Sequence, residues 1–368
     1  MTTNQPAVAI QPNHYLNDTP MARGRARASV SARSKMRAVV YHRYGGPDVV
    51  SLAEVARPVA AEHEVLVRIH ATTVSAGDWR ARSLHLPGGF GFLGRPVFGM
   101  FGPRQPILGT EFAGTIESVG HDVTRFKAGD EVFGFTGARF GCHAEYRTMP
   151  EDGLLAHKPV NLTFEEAASL SFGATTALDL LARRAKIQQG EKVLVVGASG
   201  SIGTAAVQIA RHMGADVTGV TSTGNVELVR SIGASDVIDY KHGDFAVGDT
   251  KWDVIFDTTG STSFARCDRV LNPGGRLVIV QGTLADAMGL TKPPRASGKS
   301  VIASLPAITA ADIAYLGELA ASGALRPVID RTYRLDEAAE AHAYVATGRK
   351  RGNVVLSVVD TSTDDLCS

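Results

Sequence analysis

A strand, a glycine-rich turn and a helix follow one another directly in the middle of this chain, and no other segment constrains the fold as strongly. Residues 193–196 are apolar, glycines follow at 197, 200 and 203, and residues 202–213 have an amphipathic helical pattern. Such glycines allow a tight turn, a close approach of a phosphate to the backbone, and close packing of helix on strand. The unpaired N–H groups at the start of the helix bind pyrophosphate. The residues predicted to bind a dinucleotide here are Gly197, Ser199, Gly200, Ser201, Ile202 and Gly203.

Alternating strands and helices surround that turn. Strand patterns at 216–220, 237–240, 252–257 and 276–280 are apolar and rich in Val and Ile, and an amphipathic helix at 226–232 lies among them. Near-continuous apolar strands joined through helices are typical of a parallel sheet covered on both faces. The sequence therefore predicts an α/β fold whose cofactor domain is a doubly wound parallel sheet.

A different pattern precedes residue 162. Four short strands between residues 36 and 135 alternate with glycine turns, which is typical of a small β barrel or sandwich. At 163–166 a threonine followed by acids predicts the start of a helix. After residue 310 come two helices, the second capped by Asp336, and a last strand at 353–359. We expect this final segment to return to the first domain and complete its sheet.

Composition limits the other classes of function. A length of 368 residues favours two domains, and Lys+Arg 38 against Asp+Glu 37 leaves a net charge of +1. We therefore expect no binding of nucleic acid and none of a membrane surface, and no apolar run approaches the ~20 residues that span a bilayer. Three widely separated cysteines exclude a disulfide scaffold and a four-thiolate zinc site, and they favour a reducing cytoplasm.

Residues 1–35 differ from the rest of the chain. They contain four arginines, one lysine and a single acid, and they lack an apolar period, so we expect a disordered tail. An Arg- and Ser-rich, acid-poor segment is also typical of organelle transit peptides, which makes import the alternative to a cytoplasmic location. We favour a dispensable tail, because Met21 and Met36 are both plausible starts.

The loop after the second parallel strand bears on the choice of dinucleotide. An NAD site places Asp or Glu here to bind the ribose 2′-hydroxyl, but this chain has Ser222, Thr223 and Asn225. Small hydroxyl and amide groups leave room for a 2′-phosphate, so the sequence favours NADP(H) over NAD(H). Lys241 is the candidate for the missing cation. Tyr240 either packs on adenine or is an ordinary aromatic residue at a strand end.

Further motifs lie along residues 36–359. They are GGPDVV at 45–50, LGTEFAG at 108–114, GDEV at 129–132, AEY at 144–146 and NPGG at 272–275. With the central glycines, these motifs resemble in content and order those of the medium-chain dehydrogenase/reductase superfamily, specifically its zinc-free quinone oxidoreductase (zeta-crystallin-like) branch. Glu111 stands where that pattern has Asp.

The resemblance implies a GroES-like, β-rich catalytic domain, a Rossmann cofactor domain and a substrate cleft between them. The expected boundaries are 1–35 for the tail, 36–165 for the GroES-like domain, 166–308 for the Rossmann NADP-binding domain and 309–368 for the C-terminal return. Like its family, the chain is expected to form a homodimer.

The resemblance also bears on zinc. In the alcohol dehydrogenase branch a Cys and a His-Glu pair contribute to a catalytic zinc site, but here Ser75 stands at the Cys position and Thr110 at the His position. Residues 84–106 replace the structural-zinc lobe and contain no Cys. A site without its thiolate and imidazole should not hold zinc, so we expect none.

Without a metal, substrates that are already conjugated are the easiest to reduce. The resemblance implies transfer of hydride from NADPH to a small hydrophobic quinone or conjugated carbonyl, helped by orientation and a hydrogen-bond donor. Ser75 is a candidate donor, Asp78 would hold its turn, and His143 is either a proton donor at the cleft or a structural residue. The alternatives are an enoyl or alkenal double-bond reductase, and a largely non-catalytic NADPH-binding protein.

The resemblance places further residues at the cofactor. They are Thr176 near the nicotinamide, Thr259, Gln281 and Gly282 at strand ends, and Asn353 near the chain end. The basic run 349–351 either binds phosphate or forms a solvated turn, and we favour the turn. The long loop 84–106 carries four phenylalanines, and it is either a flap over the substrate or a static patch or dimer contact.

Overall fold

The computed structural model describes residues 34–291, 293 and 295–359. The segment predicted to be a disordered tail, 1–35, lies outside this part of the chain except for its last two residues, and the end of the predicted C-terminal return, 360–368, lies outside it too. Lys35 is already in the first strand, where it pairs with Ala56. The first strand therefore begins one residue earlier than predicted.

The elements of the described residues are as follows. The strands are β1 Lys35–Tyr41, β2 Val50–Ala56, β3 Glu64–Thr73, β4 Glu111–Val119, β5 Glu131–Phe135, β6 Tyr146–Pro150, β7 Leu155–His157, β8 Lys192–Val196, β9 Asp216–Thr221, β10 Asp236–Asp239, β11 Trp252–Asp257, β12 Leu271–Ile279, β13 Ser300–Ile302, β14 Ile329–Arg334 and β15 Asn353–Ser357. The α-helices are α1 Ala76–Ser83, α2 Gly94–Phe98, α3 Phe164–Ala168, α4 Ser171–Leu178, α5 Ser201–His212, α6 Val226–Ser231, α7 Phe264–Cys267, α8 Leu284–Ala287, α9 Ala310–Ala321 and α10 Ala338–Ala346.

Six strands form a parallel sheet in the order β10-β9-β8-β11-β12-β13. Every neighbouring pair in it is parallel, which confirms the predicted doubly wound cofactor fold. Strands β8 to β10 extend to one side and β11 to β13 to the other, so the strand order reverses between β8 and β11. Ligands of such sheets bind at this point, beyond the carboxyl ends of the strands. Strand β13 was not predicted, because three residues carry no periodic pattern.

The second large sheet has the order β14-β15-β3-β4-β5-β7, and β6 pairs with β3. The hairpin of β1 and β2 lies beside it as a separate pair. Strand β15, near the end of the chain, pairs with β3, which lies near its beginning. This β-rich sheet and the parallel sheet together give the α/β fold class that the sequence predicts.

Local side-chain bonds explain where several helices begin. Thr163 and Glu166 form a reciprocal capping box at the start of α3, as the sequence indicates. The sequence predicts that Asp336 caps the last helix, but this is wrong, because α10 begins at Ala338 without a side-chain cap. The Asp336 carboxylate instead accepts two hydrogen bonds from the Arg334 guanidinium.

The long loop 84–106 contains α2 and contacts the start of α8 and the segment that follows β1. The Gly88 carbonyl accepts a 3.0 Å hydrogen bond from the backbone of Leu284, and the Tyr44 hydroxyl donates to the Gly99 carbonyl. Two of its four phenylalanines are exposed, Phe101 completely and Phe92 by 69%. Within the described chain, these two side chains have no apolar cover.

No helix in the described part of the chain has the length and apolar character needed to cross a bilayer.

The core of the β-rich half contains a histidine without a hydrogen bond. His342 on α10 is completely buried, and neither ring nitrogen has a partner among the described residues. Its ring meets that of His143 edge-on at 5.5 Å. Burial holds the pKa of His342 well below its usual range, and the neighbouring His143 and Arg82 lower it further. His342 is therefore neutral in the folded protein.

Acidification should destabilise the fold through this residue. Because the folded-state pKa of His342 lies below the unfolded value of about 6.5, the unfolded chain binds the extra proton, and stability is lost as pH falls below that value, by up to about 1.4 kcal/mol per pH unit. His342→Leu should flatten the dependence of unfolding free energy on pH between 7.5 and 5, measured by urea denaturation. An equally steep pH dependence in this variant would contradict the assignment of His342 as a buried neutral residue. His212→Leu, at an exposed position of α5, is the control.

Candidate active site

A cavity of about 1210 Å³ lies at the carboxyl ends of the parallel strands, where the strand order reverses. One wall consists of the central glycine turn and the ends of β9, β11 and β12. The opposite wall is formed by α1, the start of α4 and the chain near residue 350. The predicted cofactor residues among its lining are Gly197, Ser199, Gly200, Ser201, Ile202, Ser222, Asn225, Tyr240, Lys241, Thr259 and Gln281.

The glycine turn is built to accept a phosphate. Gly197 has a φ of 79°, a conformation that favours glycine. A Cβ on Gly200 would meet only the Gly197 carbonyl oxygen, at 3.6 Å, so the space in front of this residue is open. Helix α5 begins at the cavity without a side-chain cap, and its first N–H groups are available to an anion. The residues present therefore fit a dinucleotide pyrophosphate.

Gly203 has a different role from Gly200. It does not line the cavity, and a Cβ here would overlap the Gly197 carbonyl oxygen and the backbone of Ala198. Gly203 thus lets the helix pack against the turn.

Two predicted cofactor residues bind each other. The Ser201 hydroxyl donates a 2.6 Å hydrogen bond to the Asn353 side-chain oxygen, and the Gly352 backbone donates to the Ser199 carbonyl at 2.7 Å. We call these two bonds the turn clamp. Asn353 does not line the cavity. The clamp uses Ser201 and Asn353 to hold the glycine turn against the β-rich sheet.

The loop after β9 lies at one end of the cavity. Ser222 and Asn225 line it, whereas Thr223 does not. The Thr223 hydroxyl instead binds Asp239 and is the main reason that the pKa of this carboxyl falls to about 2. The guanidinium of Arg351 lies 3.6 Å from the position that a Cβ on Gly224 would occupy. All three residues of the basic run 349–351 line the cavity, and Arg349 and Arg351 are exposed, so the phosphate-binding and the solvated-turn interpretations both stay open.

At the other end, the strand termini β11 and β12 carry Thr259 and Gln281. The Gln281 side-chain nitrogen donates to the Thr258 carbonyl at 2.7 Å, and its oxygen accepts from Arg80 at 2.5 Å. Gly282 lies outside the lining. Thr176 lies outside it too, since its hydroxyl donates to the Phe172 carbonyl within α4.

Ser75 and Asp78 form a structural unit rather than an open donor. They make a capping box at the start of α1, and the Ser75 hydroxyl donates to the Asp78 carboxylate at 2.6 Å. The second carboxylate oxygen accepts from the Gly109 backbone at 2.8 Å. Both residues are buried and neither lines the cavity. The geometry supports the expected role of Asp78 in holding the turn, but it leaves Ser75 no free proton to donate.

The structure also places His143 away from the cavity. It is completely buried, its Nε2 lies 2.9 Å from the Thr73 carbonyl, and Nδ1 has no partner among the described residues. The structural interpretation of His143 fits this position, and the proton-donor role does not. Cys142 beside it is likewise buried, and burial raises the pKa of its thiol to about 12.

A buried carboxyl group and a lysine of the cavity lining influence each other's pKa. Glu111 is completely buried, and its carboxylate accepts 2.6 Å hydrogen bonds from the Thr73 hydroxyl and the Phe172 backbone. Burial raises its pKa to about 7. Lys350 lines the cavity and donates to the Gly352 carbonyl at 2.5 Å; burial lowers its pKa to about 8, opposed by the Glu111 charge.

Sequence reasoning missed several aromatic and cationic side chains of the cavity. They are Trp79, Arg80 and Phe172 on the wall opposite the glycine turn, and Phe245 and Arg266 on the side of the parallel sheet. The one available signal was the spacing of α1, which places residues 76, 79 and 80 on a single face once the cap at Ser75 is recognised. The loop 84–106 contributes no residue to the lining, so the cavity gives no support to the flap.

Two families of domain match this chain: the alcohol dehydrogenase GroES-like domain over residues 61–159 and the zinc-binding dehydrogenase domain over 232–356. A 2-methylene-furan-3-one reductase of Solanum lycopersicum is 33% identical over 340 residues, covering 89% of this chain and 80% of its own. The quinone oxidoreductase of Homo sapiens is 31% identical over 331 residues, covering 85% and 94%. The structure of the quinone oxidoreductase from Coxiella burnetii superposes with a TM-score of 0.78 at 28% identity, covering 89% of this chain and all of the other.

Fold and site thus define a two-sheet oxidoreductase with a Rossmann cofactor sheet and a GroES-like catalytic half. The chain belongs to the medium-chain dehydrogenase/reductase superfamily, in its quinone oxidoreductase branch.

The two glycines of the turn should respond differently to alanine. Gly200→Ala has room for its methyl group in the free protein, so the melting temperature should stay within about 2 °C while dinucleotide affinity falls at least ~10-fold, because the methyl group occupies the phosphate position. Gly203→Ala should lose about 3 kcal/mol of stability through backbone overlap. Thermal denaturation and fluorescence titration measure both; an unchanged affinity in Gly200→Ala would place the phosphate elsewhere.

Proposed function

We propose that this protein reduces a quinone or a conjugated carbonyl compound with NADPH, without a metal ion. The observation that carries the proposal is the two-ended cavity. An acid-free loop beside a guanidinium lies at one end, and aromatic and cationic side chains, without a set of metal ligands, face the strand ends at the other.

The preference for NADPH is supported by the charges around residues 222–225. No carboxylate of this loop competes for the ribose 2′-hydroxyl, and the Arg351 guanidinium beside Gly224 supplies a cation for a 2′-phosphate. Lys241 and Tyr240 line the same end. The carboxylate of Asp244, which also lines it, is paired with Arg266 at 2.9 Å.

Independence from zinc is supported by the chemistry of the side chains. Ser75 and Thr110 offer hydroxyl groups where the alcohol dehydrogenase branch has a thiolate and an imidazole, and the Ser75 hydroxyl is bound to Asp78. Among the described residues, the group that could hold a metal ion is Glu62, His63 and Asp122, which is exposed on the surface. This exposed set does not fit the catalytic zinc site of the alcohol dehydrogenase branch. The match to the zinc-binding dehydrogenase domain therefore does not by itself indicate a zinc ion here.

NADPH, when bound, supplies the hydride. The chain's own residues then orient the two reactants: the turn clamp fixes the pyrophosphate site, and Thr259 and Gln281 lie where the strand ends meet the nicotinamide half. Trp79 and Phe172 give the substrate an apolar surface. Orientation of this kind is a large part of catalysis for a substrate whose charge is already delocalised.

A second candidate is the reduction of alkenal double bonds, which the same cavity serves. It is favoured by two relatives, the tomato reductase above and an NADPH-dependent alkenal/one oxidoreductase of Arabidopsis thaliana that is 31% identical over 344 residues. Action on a small hydrophobic substrate, a homodimeric state and a cytoplasmic location complete the proposal.

Removal of the 2′-phosphate contact tests the choice of cofactor. Arg351→Met should raise the KM for NADPH about 10-fold, because one charged contact to phosphate is lost, and leave the KM for NADH within twofold. The exposed Arg230→Met is the matched control. Equal effects on the two cofactors would contradict the assignment of Arg351.

Removal of metal ions tests whether the reduction needs a metal. With NADPH present, the protein should reduce an ortho-quinone and an alkenal at unchanged rates after dialysis against a strong chelator, and the faster substrate identifies the class. Activity that disappears on chelation and returns with Zn²⁺ would overturn the metal-free mechanism. Tight NADPH binding without turnover of either substrate would favour a non-catalytic binding protein.

A further inference from the structure

We propose that Arg80 is a catalytic residue, whose guanidinium binds the substrate oxygen on which negative charge develops. This inference rests on the proposed function, because it needs a substrate that receives hydride and becomes an oxyanion. It assigns the donor role that the sequence gave to Ser75 to a side chain one turn further along α1.

The backbone of Arg80 is held rigidly. The capping box of Ser75 and Asp78 fixes the start of α1, and the bond from the Gly109 backbone to Asp78 ties the helix to the strand β4 that follows. Arg80 projects into the cavity together with Ala76 and Trp79. A donor on a fixed helix needs little reorganisation when charge appears.

The guanidinium is already oriented by one neutral partner. Its Nη2 donates to the Gln281 side-chain oxygen at 2.5 Å, and Gln281 is itself held by the Thr258 carbonyl. One bond to an amide leaves the other N–H groups of the guanidinium for a further acceptor.

The charge of Arg80 has no counter-ion among the described residues. In the part that the structure describes, Arg80 forms no ion pair, and burial alone lowers its pKa. A half-buried cation without a counter-ion has lost hydration without gaining an attraction, so an anion that enters the cavity binds it favourably.

The position of Arg80 distinguishes a substrate oxyanion from a cofactor phosphate. The phosphate sites lie at the glycine turn and at residues 222–225, where β8 and β9 end, with Lys241 and Arg351 nearby. Arg80 lies over the ends of β11 and β12, on the other side of the point where the strand order reverses. In a doubly wound sheet this side receives the nicotinamide half, and therefore the reacting carbon.

The chemistry of the reaction requires such a donor. When bound NADPH gives up its hydride and is oxidised to NADP⁺, the electron pair of the C–H bond that breaks there forms a new C–H bond at the β-carbon of an enone. The electron pair of the C=C bond moves toward the carbonyl, whose oxygen becomes negative and accepts hydrogen bonds from Arg80. A proton from solvent then adds at the α-carbon, or at oxygen when the substrate is a quinone. Arginine does not release its own proton, so it acts as an electrostatic donor and not as the acid.

Kinetics of three variants test the inference in the full-length protein. Arg80→Met should lower kcat/KM for an alkenal or quinone about 100-fold, the effect typical of one lost oxyanion donor. Arg80→Lys, which keeps the charge, should recover part of the loss. The affinity for NADPH should change less than about threefold in both. Arg139→Met, at an exposed position, is the control for a lost arginine.

A binding measurement gives a readout that does not depend on turnover. 4-Nitrophenol should bind to the protein saturated with NADP⁺ in its phenolate form, visible as a rise in absorbance near 400 nm. Arg80→Met should weaken this binding at least ~10-fold. Thermal denaturation of each variant shows whether it is folded.

The outcomes separate the inference from the proposed function. Full activity and unchanged phenolate binding in a folded Arg80→Met variant would overturn the role of Arg80. A loss of NADPH affinity equal to the loss of activity would also overturn it, by assigning Arg80 to the cofactor. If the unmodified protein reduces neither quinones nor alkenals, the proposed function fails, while the phenolate titration still decides whether Arg80 binds an oxyanion.

Discussion

The turn clamp is the contact on which the site depends. The Ser201–Asn353 and Gly352–Ser199 hydrogen bonds join the glycine turn of one sheet to the first residues of the last strand of the other. Each bond contributes only about 1 kcal/mol, but both lie where the two sheets face each other. They join the two sheets beside the cavity. Gly352 is suited to this place because a Cβ there would overlap the Val328 carbonyl.

The cations of the β-rich wall form two groups, one near the glycine turn and one at the far end of the cavity. Near it, Lys350 and Arg351 provide cations, and the buried Glu111 balances part of that charge from behind. At the far end Arg80 has no such balance among the described residues. In our proposal the phosphates of the cofactor neutralise Lys350 and Arg351, and Arg80 remains for a substrate oxygen that becomes negative only during the reaction.

Local patterns in the sequence predict much of the fold. The strand–turn–helix around Gly200, the capping box at Thr163 and the helix Ala310–Ala321 all follow from neighbouring residues. The site is less predictable, because its contacts join distant residues. Arg80 and Gln281 are 201 positions apart, and no periodicity brings them together. Ser201 and His143 matched expected roles by residue type, but packing gave Ser201 a structural partner and buried His143 completely.

The position of β15 has a consequence for the order in which the protein is made. The parallel sheet is complete at residue 302, and its glycine turn is then already synthesised. The residues that clamp this turn emerge from the ribosome some fifty positions later, as β15 pairs with β3, one of the first strands. A growing chain thus carries an unfinished glycine turn until β15 folds back, and pairing of β15 with β3 is the step that completes the pocket.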